Sequence, residues 1–537
     1  MKQFRHLMTM AALALTGATM TACSGDDEPV PGGMQPESTT AYTLTTTLTF
    51  DGGGETRALT EAGVKTFAVG DQIAVKYYKN GKDWDYETAT SEPLTAADIT
   101  DEGKTATITV TLTDPVVGKT DIRYVYPAYL ESDIGRASIL ENKQDGSLAK
   151  LAEKFDYAEA AGNIDYSGGT PALPALTLQN QLALAKFTFS DGSADITASL
   201  RKLLIEDGAH TYFVTPSSAS EIWVALYPVG TDQTIKLMPN DGAQFYEKSV
   251  TGKALVANNI YPISVTTPAT TDSRLMPLTI EAWENGAEVS FKLSDAVTRP
   301  VEYRTCLSGT WGAWTGYTSN KGITLPATGD KVCFRGTNAK YDQSTISCTS
   351  NCYLYGNVMS LIDPMAFPAL KELTEEQTFQ DLFNGNKHIN IDAARPFLLP
   401  ATTLRNDCYE SMFSGCANLT VAPALPATNL ADACYKNMFQ SCGSLEHGPL
   451  LPATSLKLSC YEGMFNSCGS LKSVICLATE YIVGNINDML YYAGNPYSGE
   501  KPTFYKAPGA TWPRDDDDDG ANGIPKFWNV EDYSVTP

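Results

Sequence analysis

Apolar and polar positions alternate with a period of two in a succession of short runs between residues 41 and 265. "AYTLTTTLTF" (Ala41–Phe50) is the first, and "QIAVKYY", "TATITVTL", "DIRYVYPA", "LAKFTFS", "EIWVALYPV" and "IYPISVT" follow. Alternation turns one face of each segment inward, which predicts half-buried β-strands. Gly, Asp, Asn and Pro separate the runs, so short strands joined by tight turns are expected, as in a β-sandwich. A linker, 266–276, leads to "LTIEAWENGAEVSFKL", which reads as a hairpin turning at Glu284-Asn285-Gly286. It opens a small all-β module over 277–347.

The pattern then changes. "LPATTLRNDCYESMFSGCANL", "LPATNLADACYKNMFQSCGSL" and "LPATSLKLSCYEGMFNSCGSL" follow one another at a strict 26-residue period, and a degenerate copy, Thr378 to Ile389, stands 30 residues upstream. In the middle copy Leu430, Cys434, Met438 and Cys442 step by four, with Tyr435 and Phe439 one position on. On a helix these positions gather on one apolar side. A helix is therefore predicted, with Thr403, Asn429 or Ser455 as its N-cap and Gly443 or Gly469 after its end. A strand should follow the second cysteine, at "LTVAP", "LEHGP" and "LKSVI". Self-similarity at this period predicts a short α/β solenoid over 348–480, each repeat burying its apolar face on its neighbours. Residues 481–537, with Trp528 and "GIPKFW", then read as a cap on its hydrophobic end.

Composition narrows the function. The chain has 537 residues, too many for one core, and a net charge of −23 with no basic stripe to neutralise phosphates, so nucleic acid is a poor partner. Only His6, His210, His388 and His447 occur, none in a Cys-His, Ser-His or HExxH context, and there is no Gly-rich phosphate loop. No catalytic residue, cofactor or metal is assigned, and the chain is read as a non-enzyme. "DDDDD" (Asp515 to Asp519) lacks the alternating ligand spacing of a calcium loop and reads as a solvated turn.

Paired cysteines in each repeat pose a chemical question. Eight residues of helix separate two thiols by about 12 Å, so the pair within a repeat cannot bridge. A column such as Cys408, Cys434 and Cys460 lies close enough for a link between neighbouring repeats, yet eleven cysteines remain after Cys23 and an odd number cannot all pair. They read as small buried hydrophobes of a core, with an inter-repeat disulfide or a metal as alternatives. Candidate ligand positions are those that differ between copies along the expected strand face, Thr420, Glu446 and Lys472 with His447 beside them. Unconstrained surface varies in the same way. "EYRTCLSGTWGAWTGY" supplies a second candidate, an aromatic platform of Trp311 and Trp314 for sugar rings, although core aromatics of a strand look alike.

Four resemblances give these readings a context. Lys2 and Arg5, an apolar stretch, and Met20-Thr21-Ala22 before Cys23 form a secretory signal over 1–23. It resembles a bacterial lipoprotein signal with Cys23 as the acylated residue, and "SGDDE" at the head of the flexible tether 24–40 resembles the surface-export signal of Bacteroidetes lipoproteins. "FAVGDQIAVKYY", Tyr126-Pro127, "LALAKFTFS" and "NNIYPISV" look like fimbrillin-like proteins of Bacteroidetes. That family implies two β-sandwich lobes over 41–265 and, in true pilins, a cut after an arginine that frees a groove for a neighbour's strand. Arg57 in "GETRALT" is the matching position; the alternative is a loop arginine. The repeats, with "VCFRGTN", "YLYGNVMSLI" and "GIPKFWNVED", resemble BspA-like leucine-rich repeats. The expected whole is mainly β, with sandwich lobes, a β-module and a leucine-rich-repeat solenoid. Its expected role is an outer-membrane, lipid-anchored surface adhesin for a host or microbial protein or glycan. The alternatives are a fimbrial subunit joined to other subunits by strand exchange and a surface glycan-binding lipoprotein.

Overall fold

The computed structural model describes residues 40–50 and 66–534, except 156, 218, 269–271, 480–482, 498, 517–518 and 522. Cys23, most of the tether and Arg57 lie outside the described residues. The described chain is mainly β. Ala41–Phe50 turns Leu44, Thr46, Leu48 and Phe50 inward, as its alternation requires. It lies inside an eight-stranded sheet, antiparallel to Thr105–Thr113 and parallel to Leu176–Asn180. The core of that first lobe gathers Leu48, Ile108, Tyr124 and Leu178.

A second lobe encloses a separate core between a four-stranded and a three-stranded sheet. Two helices, Asp133–Asn142 and Leu148–Lys154, join the lobes. Ser132 and Ser147 cap them by accepting from the amides of Gly135 and Lys150. Their Leu140, Leu151 and Phe155 pack with Val125 of the first lobe and Trp223 and Ala225 of the second.

The hairpin expected at Glu284-Asn285-Gly286 does not form. Leu278–Ala282 pairs with Lys331–Gly336 and Cys352–Asn357, whereas Ala287–Lys292 pairs with Ile323–Leu325 and Thr345–Cys348. The turn, with Gly286 at φ 79°, carries the chain from one sheet to the other, and Ile280 and Phe291 join one core. Because Cys352–Asn357 is a strand of the module's own sheet, residue 347 is not a boundary, and one hydrophobic core runs from the module into the repeats.

In the repeats the expected helix is replaced by a spiral of β-turns. Ala433, Asn437 and Ser441 lie at φ of 51°, 53° and 58°, and Asp407, Ser411 and Gly415 repeat the pattern at 52°, 54° and 73°. A left-handed residue at every fourth position is incompatible with an α-helix and is the mark of type II turns. Backbone bonds follow the same rhythm. The amides of Cys434, Met438 and Cys442 turn back to the carbonyls of Ala431, Tyr435 and Phe439, while those of Tyr435, Asn437 and Phe439 cross to Cys460, Glu462 and Met464 of the next repeat. The spacing explains the correction. Four residues of α-helix advance by about 400°, so a strict step of four would drift about 40° each time and carry Cys442 off the face that Leu430 occupies. A turn spiral with a period of four keeps Cys434, Met438 and Cys442 in register, and no helix caps form at Asn429 or Gly443.

Stacking aligns identical side chains into columns. Tyr409, Tyr435 and Tyr461 lie ring on ring at 5.8 and 6.2 Å, extended upstream by Phe379 and Tyr341. Phe383, Phe413, Phe439 and Phe465 form a second column at 5.4 to 5.8 Å, with adjacent rings within 7° of parallel. The eleven described cysteines are free and buried. The thiols of Cys416, Cys442 and Cys468 donate to the carbonyls of Phe383, Phe413 and Phe439 in the preceding rung at 3.2, 3.1 and 3.0 Å. Asn386, in the degenerate copy, does the same to Ile346 at 3.1 Å. The position therefore needs a compact donor as well as an apolar filler. Strands follow the second cysteine at His447–Leu451 and Ser473–Cys476, and their parallel sheet continues through Thr503–Lys506 and Asn529–Asp532. The stack thus runs past residue 480. Trp528 is buried and donates to the Ala493 carbonyl at 3.1 Å.

Candidate functional site

Two surfaces carry the residues singled out from sequence. The first is the ridge along the exposed strands of the stack. Parallel pairing sets Val421 beside His447, His447 beside Ser473, and Ser473 beside Thr503. Glu446 and Lys472, one position earlier, form an ion pair at 2.7 Å, and both remain half exposed. The Lys472 ammonium holds the Glu446 carboxyl below its usual range. His447 shares its Nδ1 with the Ser473 hydroxyl at 2.8 Å. Glu446, His447 and Lys472 line one open cavity of about 690 Å³ together with Thr503 and Tyr505. Thr420 stands apart from it, with its hydroxyl and amide both bound to Asn390 Oδ1 at 2.9 Å. The structure therefore brings three of the four ridge positions together.

The second surface holds the tryptophans. Trp311 is 39% exposed, whereas Tyr317 is buried, accepting from the Phe291 amide and donating to the Lys321 carbonyl at 2.7 Å each. Of the aromatic run, Tyr317 is core and Trp311 is surface. Trp314 is occupied by cations, with the Arg335 guanidinium 4.0 Å from its ring centre and that of Arg304 at 4.8 Å. Arg304 also lies 4.3 Å from the Trp311 ring. Trp314 is half-buried between two guanidinium groups, and Trp311, with one guanidinium against it, is the more exposed ring of the two.

These side chains border a cavity of about 520 Å³ between the second lobe and the β-module. Its floor and walls come from distant segments: the 240–245 loop of the second lobe, the module strands bearing Arg304 and Arg335, and Arg395 from the start of the repeats. Glu281 sits among Lys331, Arg395 and Tyr355, at 3.2, 2.8 and 2.8 Å. Burial works against its ionisation, yet the hydroxyl and the two cations hold its carboxyl below the usual range. Arg335 is fixed by Glu302 at 2.8 Å and by the Gly242 carbonyl at 2.7 Å. Sequence reading missed this set of arginines, because each is unremarkable in its own segment and acquires meaning only from partners as far as 114 residues away.

No family model matches the chain, and no curated protein matches it. Among solved structures, a candidate cell adhesion protein from Bacteroides fragilis is 14% identical, with 43% of this chain and 94% of that one covered at a TM-score of 0.24. A fimbrial assembly protein from Parabacteroides distasonis is 13% identical over 43% and 93% at a TM-score of 0.25. A candidate cell adhesion protein from Bacteroides eggerthii is 11% identical over 42% and 86% at 0.23. Scores this low give the likenesses no weight for fold or function.

Proposed function

We propose that this chain is a surface adhesin or binding protein, anchored to the outer membrane through an acyl group on Cys23 and presenting a leucine-rich-repeat solenoid outward. The observation that carries the reading is the contrast within the repeats. Cys, Tyr, Met and Phe are identical at matched buried positions, while the ridge above them changes from Val421 to His447 to Ser473 and from Thr420 to Glu446 to Lys472. A uniform scaffold with a varied, exposed ridge suits recognition of a surface protein or glycan. The test is binding of the full mature chain to arrays of glycans and extracellular-matrix proteins, with His447→Ala and Lys472→Glu beside it. Loss of a bound ligand in both variants supports the reading; unchanged binding in both rules out the ridge. Truncation at residue 347 is unsuitable, because it removes Cys352–Asn357 from the module's sheet.

A second reading, a fimbrial subunit, draws on the first strand. Ala41–Phe50 precedes Arg57, and its removal after a cut there leaves a slot between Thr105–Thr113 and Leu176–Asn180 that a neighbour's strand would fill. A mature N-terminus at Ala58 favours assembly; an acylated Cys23 on all cell-associated chains favours the anchored adhesin.

A further inference from the structure

The geometry points to the cavity between the second lobe and the β-module as a binding site for an acidic sugar, its carboxylate or sulfate held by Arg304 and its ring laid on Trp311. The site is separate from the ridge of the stack, so it stands or falls independently of the adhesin reading.

Charge bookkeeping around the cavity singles out Arg304. Lys331 and Arg395 share Glu281, and Arg335 is paired with Glu302. Arg304 has no carboxylate partner among the described residues. Its neighbours are two tryptophan rings, the like charge of Arg335 and the Cys333 sulfur, and its Nε is buried with no hydrogen-bond partner. Burial draws its pKa down and Arg335 adds to that, while burial pushes the Cys333 thiol up to about 11, so the sulfur is a neutral and weak acceptor. A guanidinium stripped of much of its water and left without an anion is costly, and a ligand anion repays that cost. Cations outnumber acids here on a chain of net charge −23. Such a local reversal of sign draws anions to the site.

Shape and chemistry select the sugar. A volume of about 520 Å³ lies within the usual range for small-ligand sites, roughly 300 to 1,000 Å³, which favour junctions between domains. Trp311 stays 39% exposed with the Arg304 guanidinium over its ring at 4.3 Å, so an apolar ring and a cation are in contact at one place, which fits a pyranose bearing an anionic group. An extended acidic peptide is less suited, since it draws its affinity from an open sheet edge.

Titration calorimetry and tryptophan fluorescence on the full mature chain provide the test. The probes are digalacturonate for the carboxylate, a chondroitin sulfate disaccharide for the sulfate, cellobiose as the neutral sugar and tetraglutamate as the acidic peptide. At least one acidic sugar should bind, weaken as salt is raised, and exceed cellobiose. Arg304→Gln and Trp311→Ala should each weaken it about tenfold or more, while Lys253→Glu, exposed on the second lobe and outside the cavity lining, leaves it unchanged. Trp311 is exposed, so its variant retains the fold whatever happens at Arg304, and Arg304→Lys checks for partial rescue by charge. No binding of either acidic sugar, equal affinity in the wild type and the Trp311→Ala and Arg304→Gln variants, or tighter binding of tetraglutamate overturns the assignment.

Discussion

The two N-terminal lobes and the repeat stack bury apolar surface in different ways. In the first lobe Ala41–Phe50 takes its partners from residues 105–113 and 176–178, so its core closes by distant, heterogeneous pairings. In the stack each rung meets residues at the same place in the next copy, and the core is a set of columns running through interfaces between neighbours. A further difference is chemical. All eleven described cysteines lie from Cys306 onward, none in the lobes, and in the stack the second thiol of each repeat bonds the rung before it. Stability of the stack therefore depends on nearest neighbours and on thiols kept neutral; stability of the lobes depends on neither.

Alkali should separate the regions most strongly. Burial pushes Cys408, Cys460, Cys468 and Cys476 from 9.0 to about 12. A raised folded pKa contributes stability in full below about pH 9, and that contribution is lost as pH climbs toward 12, at about 1.4 kcal/mol per thiol for each pH unit. Denaturant melts of the full chain from pH 8 to 11 should show the C-terminal transition falling first. Coincident loss of both regions would contradict the comparison. A cut through one column comes next. Phe439→Ala removes a ring stacked between Phe413 and Phe465, and large-to-small changes of this kind cost about 3 to 5 kcal/mol. Urea unfolding should register that loss in the stack while the lobe transition stays in place.

Cys442→Ala leaves the Phe413 carbonyl without its thiol donor and opens a small void, for about 1 to 3 kcal/mol. An equal melting temperature for this variant and the wild type would reduce the thiol to a filler. Gly463→Ala should cost about 1 to 2 kcal/mol, since φ is +60° and a Cβ there would lie 2.0 Å from Asn437 Oδ1. The smallest effect is a gain. The buried Tyr461 hydroxyl has no hydrogen-bond partner, so Tyr461→Phe should be neutral or raise stability by up to about 1 kcal/mol in thermal melts.

Legibility in the sequence followed the same division. Alternation located Ala41–Phe50 and its inward face because one residue's side is fixed by its neighbours'. The repeats were visible as repeats, and the strands after Cys442 and Cys468 fell where the apolar residues predicted them. The turn spiral was misread as a helix because an apolar step of four fits both, and only left-handed backbone at Ala433, Asn437 and Ser441 separates them. Residues 347 and 480 mark no polar break, because the repeat stack is built directly on the β-module and one core runs through both. Glu446, His447 and Lys472 were found by comparing copies within the chain. Arg304 and Arg335 were not, since their significance lies in tryptophans and a loop brought in by tertiary structure.

The most direct test sets one ridge variant against one cavity variant on the same array ligand. Lys472→Glu should abolish capture of a protein or neutral-glycan ligand that Trp311→Ala leaves intact. Capture that survives Lys472→Glu and His447→Ala but is lost with Trp311→Ala would contradict recognition by the stack.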